Sequence, residues 1–252
     1  METYQEFLDR INSFEKKEIT FDNKYFKGNP SIKHKVDANN TFKNFYGDTI
    51  VFALSDIVKK KLTEYADLLY QSAPECFCER LASNTFHVTL HDLSNSPVLQ
   101  NVAGELFENE LRVIEKKREI QQAAKTTLKL KSNYIFNMVD TSLVLGLYPA
   151  DKDEYCQLMR LYSIFDDVKK LDYPFTPHIT LAYYNVNGFR SEAAKNLEKI
   201  PLRNQNKTIF TPLYQNRLLS VQMYKKQQLL LRFFFPHSFS LIFLFVSFLY
   251  SV

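Results

Sequence analysis

Apolar positions along this chain alternate between two rhythms, a helical one and a strand-like one. Tyr4, Phe7, Leu8, Ile11 and Phe14 recur at helical spacing and predict a helix within the first twenty residues. Thr49 to Leu54 (TIVFAL) has the composition of a strand, and Ser55 is placed to cap a helix with the stripe Ile57, Val58, Leu62, Tyr65, Leu68 and Leu69, which Pro74 ends. A strand from Phe86 to about His91 follows. Ser96 and Pro97 then open a helix expected to bury Val98, Val102, Leu106, Leu111 and Ile114. Residues 126–139 and 142–148 read as two strands joined near Asp140 and Thr141. Asp151 and Glu154, at capping-box spacing, begin a helix burying Tyr155, Leu158, Met159, Tyr162 and Phe165. A strand begins after Pro177, Ser191 to Ile200 suits a helix, and 207–214 and 218–224 suit closing strands.

The order strand, helix, strand thus occurs twice. Thr49 to Lys60 aligns with Ser142 to Asp153, and His87 aligns with His178 at nearly the same spacing. This predicts an internal duplication of an α+β unit, with pseudo-repeats at about 49–91 and 142–184. Each repeat ends in the same tetrapeptide pattern, His-Val-Thr-Leu at 87–90 and His-Ile-Thr-Leu at 178–181. Alternation on a strand puts His87 with Thr89, and His178 with Thr180, on one face, while Val88, Leu90, Ile179 and Leu181 point to the other. Two copies related by a pseudo-twofold axis would bring the His/Thr faces together across a cleft. By the same alternation Tyr184 shares a face with His178 and is a candidate for stacking on a base. Ala182 leaves room for a ligand, and His91 reads as a strand-end residue facing solvent.

Composition changes this picture little. Of 252 residues 45% are hydrophobic and 24% charged, which is ordinary for a globular protein with a sizeable core. The net charge of +4 suits an anionic substrate without implying a nucleic-acid wrap. Cys76, Cys78 and Cys156 form an odd set that fits a reducing, cytoplasmic setting, and Cys76-Phe-Cys78 is not a zinc spacing. Between Phe21 and Asp48, lysines alternate with Tyr25, Phe26, Phe42, Phe45 and Tyr46, and the segment reads as a solvated loop anchored by its aromatics. Residues 1–228 are expected to form one bilobal domain. The stretch 229–252 is an apolar tail: Phe233 to Val252 contains no Asp, Glu, Lys or Arg and is long enough for a membrane anchor, although Pro236, His237 and the serines dilute it and suit a non-native end equally.

Two imidazoles facing one small volume suit general acid–base catalysis, because a pKa of about 6.5 allows one ring to be neutral while the other is protonated. A phosphodiester is the matching substrate. One ring takes a proton from the attacking water or ribose hydroxyl, the other donates to the departing oxygen, and the Thr89 and Thr180 hydroxyls bond the non-bridging oxygens. No cofactor or metal is called for. The alternatives are transesterification or joining at a 2'-5' link, with a ribose hydroxyl in place of water, and a catalytically inactive module that binds nucleotide or RNA.

The paired tetrapeptides in duplicated units resemble those of the two-histidine phosphoesterase superfamily, which includes 2'-5' RNA ligase-like proteins and cyclic nucleotide phosphodiesterases. The resemblance covers about residues 45–225. It implies an α+β fold of two antiparallel sheets flanking a central cleft, with helices on the outer faces. It implies a metal-independent hydrolase acting, as a monomer, on cyclic nucleotides or on RNA with a 2',3'-cyclic phosphate or a 2'-5' linkage. Carried over by position, His87 and His178 are the catalytic pair, and Thr89 and Thr180 bind phosphate. Tyr183 and Tyr184 stand where many members carry a basic residue, and the basic aromatic stretch at 24–46 is a candidate to supply that contact instead.

Overall fold

The computed structural model describes residues 2–16, 19–123, 128–197 and 209–210. In chain order these form α1 (Tyr4–Ser13), β1 (Tyr25–Phe26), β2 (Tyr46–Ala53), α2 (Asp56–Ser72), β3 (His87–Ser96), α3 (Ala103–Glu115), α4 (Lys117–Ala123), β4 (Leu130–Met138), β5 (Ser142–Pro149), α5 (Lys152–Asp166), β6 (His178–Tyr183), β7 (Phe189–Arg190), α6 (Ser191–Ala194) and β8 (Ile209–Phe210). Of the expected closing strands, 207–214 is described only at β8, and 218–224 and the apolar tail at 229–252 lie outside the described residues. No described helix is long and apolar enough to cross a membrane.

The architecture is α+β, with antiparallel sheets. β2 pairs with β3 in one sheet, and β6-β5-β4-β8 form the other. The duplication read from the sequence is present: β2-α2-β3 and β5-α5-β6 are the two strand-helix-strand units. The helices interlock them, because α2 packs on β6 of the other half and α5 packs on β3. The two motif strands consequently lie close to one another although they are not hydrogen-bonded neighbours.

Sequence decides the helix starts. Thr3 and Glu6 exchange hydrogen bonds in a capping box at α1, the Ser55 hydroxyl accepts from the Val58 N–H at α2, and the Asp151 carboxylate accepts from the Glu154 N–H at α5. The apolar stripe expected on α5 is buried as read. On α2 the inward residues are Leu62, Ala66 and Leu69, while Ile57 and Leu68 are exposed. α3 departs further. A short 3₁₀ turn at Leu99–Asn101 delays its start, and the changed phase turns Val102, Leu106, Asn109 and Val113 inward while Val98, Leu111 and Ile114 stay exposed. Asn109 faces inward because it donates to the buried Asp48 carboxylate and to the Ser94 hydroxyl.

Both motif strands carry an extra residue at the same place, and β3 carries a second at Leu93. Ile50 pairs with His91 and Val51 with Thr89, which leaves Leu90 without a partner; Leu143 pairs with Ala182 and Val144 with Thr180, which leaves Leu181 without one. These are β-bulges, and each shifts the alternation of faces by one residue. In β3, His87, Thr89 and then Asp92 are half-buried, while Val88, Leu90, His91 and Leu93 are buried. In β6 His178 and Thr180 are half-buried, Ile179, Leu181 and Ala182 are fully buried, and Tyr183 is buried under the Lys35 side chain.

The stretch at 21–48 is built into the fold and is not the solvated loop its composition suggested. β1 pairs with β7, and Gly188 at φ +78° permits that approach, since a Cβ there would collide with the Phe26 carbonyl. Phe26, Phe77, Tyr184 and Phe189 form a buried aromatic cluster, with the Tyr184 hydroxyl donating to Asn137 Oδ1 at 3.3 Å. Tyr184→Ala is expected to lower stability by about 3–5 kcal/mol through the cavity it leaves. Tyr184→Phe is expected to cost about 0.5–1.5 kcal/mol, the share of one hydrogen bond. Urea unfolding midpoints of the two variants check the ranking.

Candidate functional site

The two motif histidines are held in the same way. His87 opens β3 directly after a 3₁₀ turn at Ser83–Thr85, and its Nδ1–H donates to the Thr85 carbonyl at 2.7 Å. His178 opens β6, and its Nδ1–H donates to the Thr176 carbonyl, also at 2.7 Å. A carbonyl only accepts, so in each neutral ring the proton sits on Nδ1 and the free lone pair is on Nε2. When a ring is protonated, Nε2 becomes a donor. Each imidazole is therefore fixed in the tautomer that lets Nε2 take or give a proton.

The support behind the rings is unequal. The Thr85 carbonyl belongs to a turn closed by hydrogen bonds from the Thr85 N–H and hydroxyl to Ala82 O. The segment before His178 is held from the N-terminal helix. Arg10 donates to the Thr176 hydroxyl at 3.1 Å and to the Phe175 carbonyl at 2.9 Å, and Glu2 accepts both remaining guanidinium contacts at 2.8 Å. Thr89 and Thr180 are half-buried beside their histidines, and neither hydroxyl is engaged by a described neighbour.

Burial pulls the pKa of both His87 and His178 below the ordinary imidazole value. The Thr85 and Thr176 carbonyls oppose that fall by favouring the charged rings. At His87 the neighbouring His178 adds a further downward pull, which places the two rings within electrostatic reach of one another. Lys35 depresses both and Asp92 raises both, so these four groups share one electrostatic environment. Asp92 accepts hydrogen bonds from Thr49 Oγ1 at 3.2 Å and Tyr173 Oη at 3.1 Å. Lys35 Nζ lies 5.2 Å from the Phe45 ring centre and 5.3 Å from that of Tyr183, and it donates to Tyr183 Oη at 3.4 Å.

Three readings from strict alternation need correction, all for one reason. Tyr184, expected to stack on a base, is fully buried in the aromatic cluster and has no face to offer a ligand. His91, expected at the surface, is 1% exposed, packs on Tyr162 of α5 and approaches Asp166 at 3.5 Å. Ala182, its counterpart in the second half, is buried too and leaves no room for a ligand. All three lie beyond a bulged leucine, so counting by twos assigns them to the wrong face. The same slip hid Asp92 and Tyr183. Lys35 had a weaker signal, its place in the basic aromatic stretch.

Among the described residues no cluster of three His, Cys, Asp or Glu side chains could hold a metal ion. Cys76 and Cys78 are free but buried, and burial pushes each thiol up to about 12, far from thiolate chemistry at neutral pH.

Comparison with solved structures gives the fold a relative. A conserved protein of unknown function from Agrobacterium tumefaciens strain C58 aligns over 72% of this chain and 84% of its own, at 13% identity and a TM-score of 0.52. The two proteins share a fold. Two further alignments are looser: a phosphoesterase at 15% identity, covering 67% of this chain and 84% of its own with a TM-score of 0.43, and Escherichia coli LigT complexed with NADP+ at 14% identity, covering 67% and 83% with a TM-score of 0.39. No protein-family model and no curated protein matches the sequence.

The depressed histidines make stability depend on pH. Between the unfolded value of about 6.5 and the lower folded values, the unfolded chain binds more protons, so stability present above pH 6.5 is lost as pH falls through the folded pKa values. Asp48 works in the opposite direction, because burial raises it to about 6. A difference measurement separates the two. Wild type is expected to lose stability between pH 7.5 and 5.5 relative to the His87→Asn/His178→Asn variant, read from urea midpoints at each pH.

Proposed function

We propose that the protein is a phosphodiesterase of the two-histidine phosphoesterase type, hydrolysing a 2',3'-cyclic phosphate or a related cyclic nucleotide or RNA end without a metal. The observation that carries this reading is the matched pair of imidazoles. Each donates through Nδ1 to a backbone carbonyl two residues upstream, which leaves Nε2 for proton transfer, and the two are electrostatically coupled. The repeated His-x-Thr-Leu pattern agrees with it.

In this mechanism one Nε2 accepts the proton of the attacking water as the water oxygen bonds to phosphorus. The other Nε2–H donates to the ribose oxygen as its bond to phosphorus breaks. Thr89 and Thr180 hydroxyls bond the non-bridging oxygens, where negative charge grows in the transition state. The depressed pKa values leave the empty site mostly neutral at pH 7. An arriving phosphate anion offsets the repulsion from Lys35 and allows one ring to carry a proton. The near-equivalence of the halves lets the acid and base roles exchange when the reaction runs in reverse.

Two outcomes test this. His87→Ala and His178→Ala are each expected to reduce hydrolysis of 2',3'-cyclic AMP by about 10²–10⁴-fold while leaving nucleotide affinity within a few-fold. Wild-type rate under EDTA is expected to be unchanged, and kcat/KM to fall on both sides of an optimum on the acid side of neutrality. Retention of hydrolysis by both alanine variants would refute the assignment. Joining or splitting of 2'-5' links, in the absence of cyclic-phosphate hydrolysis, would move the reaction to the ligase class.

A further inference from the structure

Lys35 is a cation with little to hold it. Its ammonium has three donors, and its contacts are one long hydrogen bond to Tyr183 Oη at 3.4 Å and the faces of Phe45 and Tyr183. No carboxylate among the described residues forms an ion pair with it. Its backbone, by contrast, is firmly placed. The Lys35 N–H donates to Ile32 O at the end of a 3₁₀ turn, and its carbonyl accepts from the Lys43 N–H at 2.8 Å across a short hairpin. That hairpin is braced by the Asp37 carboxylate, which accepts from the Asn39 and Thr41 N–H groups. It is pinned to the body by bonds from the Val186 N–H to Asn40 Oδ1, the Glu79 N–H to Asn40 O and the Phe42 N–H to Glu79 Oε2. A half-buried ammonium on a rigid base, set against two rings and within electrostatic reach of two imidazoles, is arranged for an anion that the chain itself does not supply.

We propose that Lys35 is a substrate-binding residue of this cleft, its ammonium bonding a non-bridging oxygen of the phosphate that lies between His87 and His178. The inference rests on the phosphodiesterase reading and names the cation of that site. It comes from the hairpin before the first repeat, so the duplicated halves provide the matched histidines and threonines while a third segment provides the charge. Tyr183 orients it, as hydrogen-bond acceptor and ring face together. Asp92, facing the same histidines from β3 and held by Thr49 and Tyr173, offsets part of its field.

The test combines steady-state turnover of 2',3'-cyclic AMP with calorimetric titration of adenosine 2'-monophosphate into wild type, Lys35→Met, Lys35→Gln and Lys35→Arg. Removing the charge is expected to weaken adenosine 2'-monophosphate binding about 10- to 100-fold, to raise KM in the same proportion and to flatten the salt dependence of binding. Lys35→Arg is expected to recover most of the affinity. The acid limb of kcat/KM should move to higher pH in Lys35→Met and Lys35→Gln, because the groups facing the imidazoles are then Asp92 and one another without the opposing cation. A lysine that only depressed the rings would move that limb and leave the affinity for adenosine 2'-monophosphate and its salt dependence at wild-type values, which would also overturn the inference. Wild-type affinity, KM and pH limbs in both uncharged variants would overturn the inference and leave the phosphodiesterase reading intact. Binding of adenosine 2'-monophosphate by wild type without turnover of the cyclic nucleotide would refute the phosphodiesterase reading, and the Lys35 variants' affinities would then decide the binding role alone. Neither binding nor turnover by wild type would overturn both.

Discussion

The unpaired leucine that follows the histidine and threonine of each motif strand decides which side chains share their face. Without the bulges at Leu90 and Leu181, strict alternation would carry His91 and Tyr184 onto the face of the catalytic candidates and send Asp92 and Tyr183 into the core. With them, each strand presents a histidine and a threonine and then a third group whose identity differs between the halves. The buried counterparts differ as well. His91 fills against Tyr162 and Asp166 the position that Ala182 takes in the other half. The two motif strands thus match at this bulge and differ in side chain beyond it, which gives like imidazoles in unlike surroundings.

The interlocking helices make that arrangement rigid. Because α2 covers β6 and α5 covers β3, neither motif strand can shift without disturbing the apolar packing of the other half. The core runs continuously through both units, from Leu62 and Leu69 on α2 to Leu158, Leu161 and Phe165 on α5. On the proposed chemistry such fixity matters, because two imidazoles would have to reach one phosphorus atom and misplacement of a reacting group by about an ångström costs orders of magnitude in rate.

Much of this was legible in the residues, and the failures share a cause. Periodicity located the helices because their stripes are long, and the capping residues Ser55 and Asp151 marked two starts correctly. The repeated tetrapeptide located both histidines because only its last residue, the leucine, is the bulged one. Beyond the leucine the periodicity of two breaks, and nothing in Leu-His-Asp or Leu-Ala-Tyr announces an inserted residue. The inward face of α3 was missed because it is partly polar, with Asn109 serving the buried Asp48, and hydrophobicity cannot signal such a face. Lys35 was harder still. Its relation to the histidines is made by a hairpin whose bonds to Val186 and Glu79 span most of the domain, and only tertiary structure creates that proximity.

The N-terminal helix introduces a dependence that the symmetry of the halves conceals. Arg10 ties the backbone ahead of His178 to Glu2, whose carbonyl also receives the Tyr155 hydroxyl, whereas the turn ahead of His87 is closed locally. Local opening at the start of α1 would loosen the backbone ahead of His178 and leave that ahead of His87 in place. On the phosphodiesterase reading, turnover would then cease with half of the pair lost and the fold still intact.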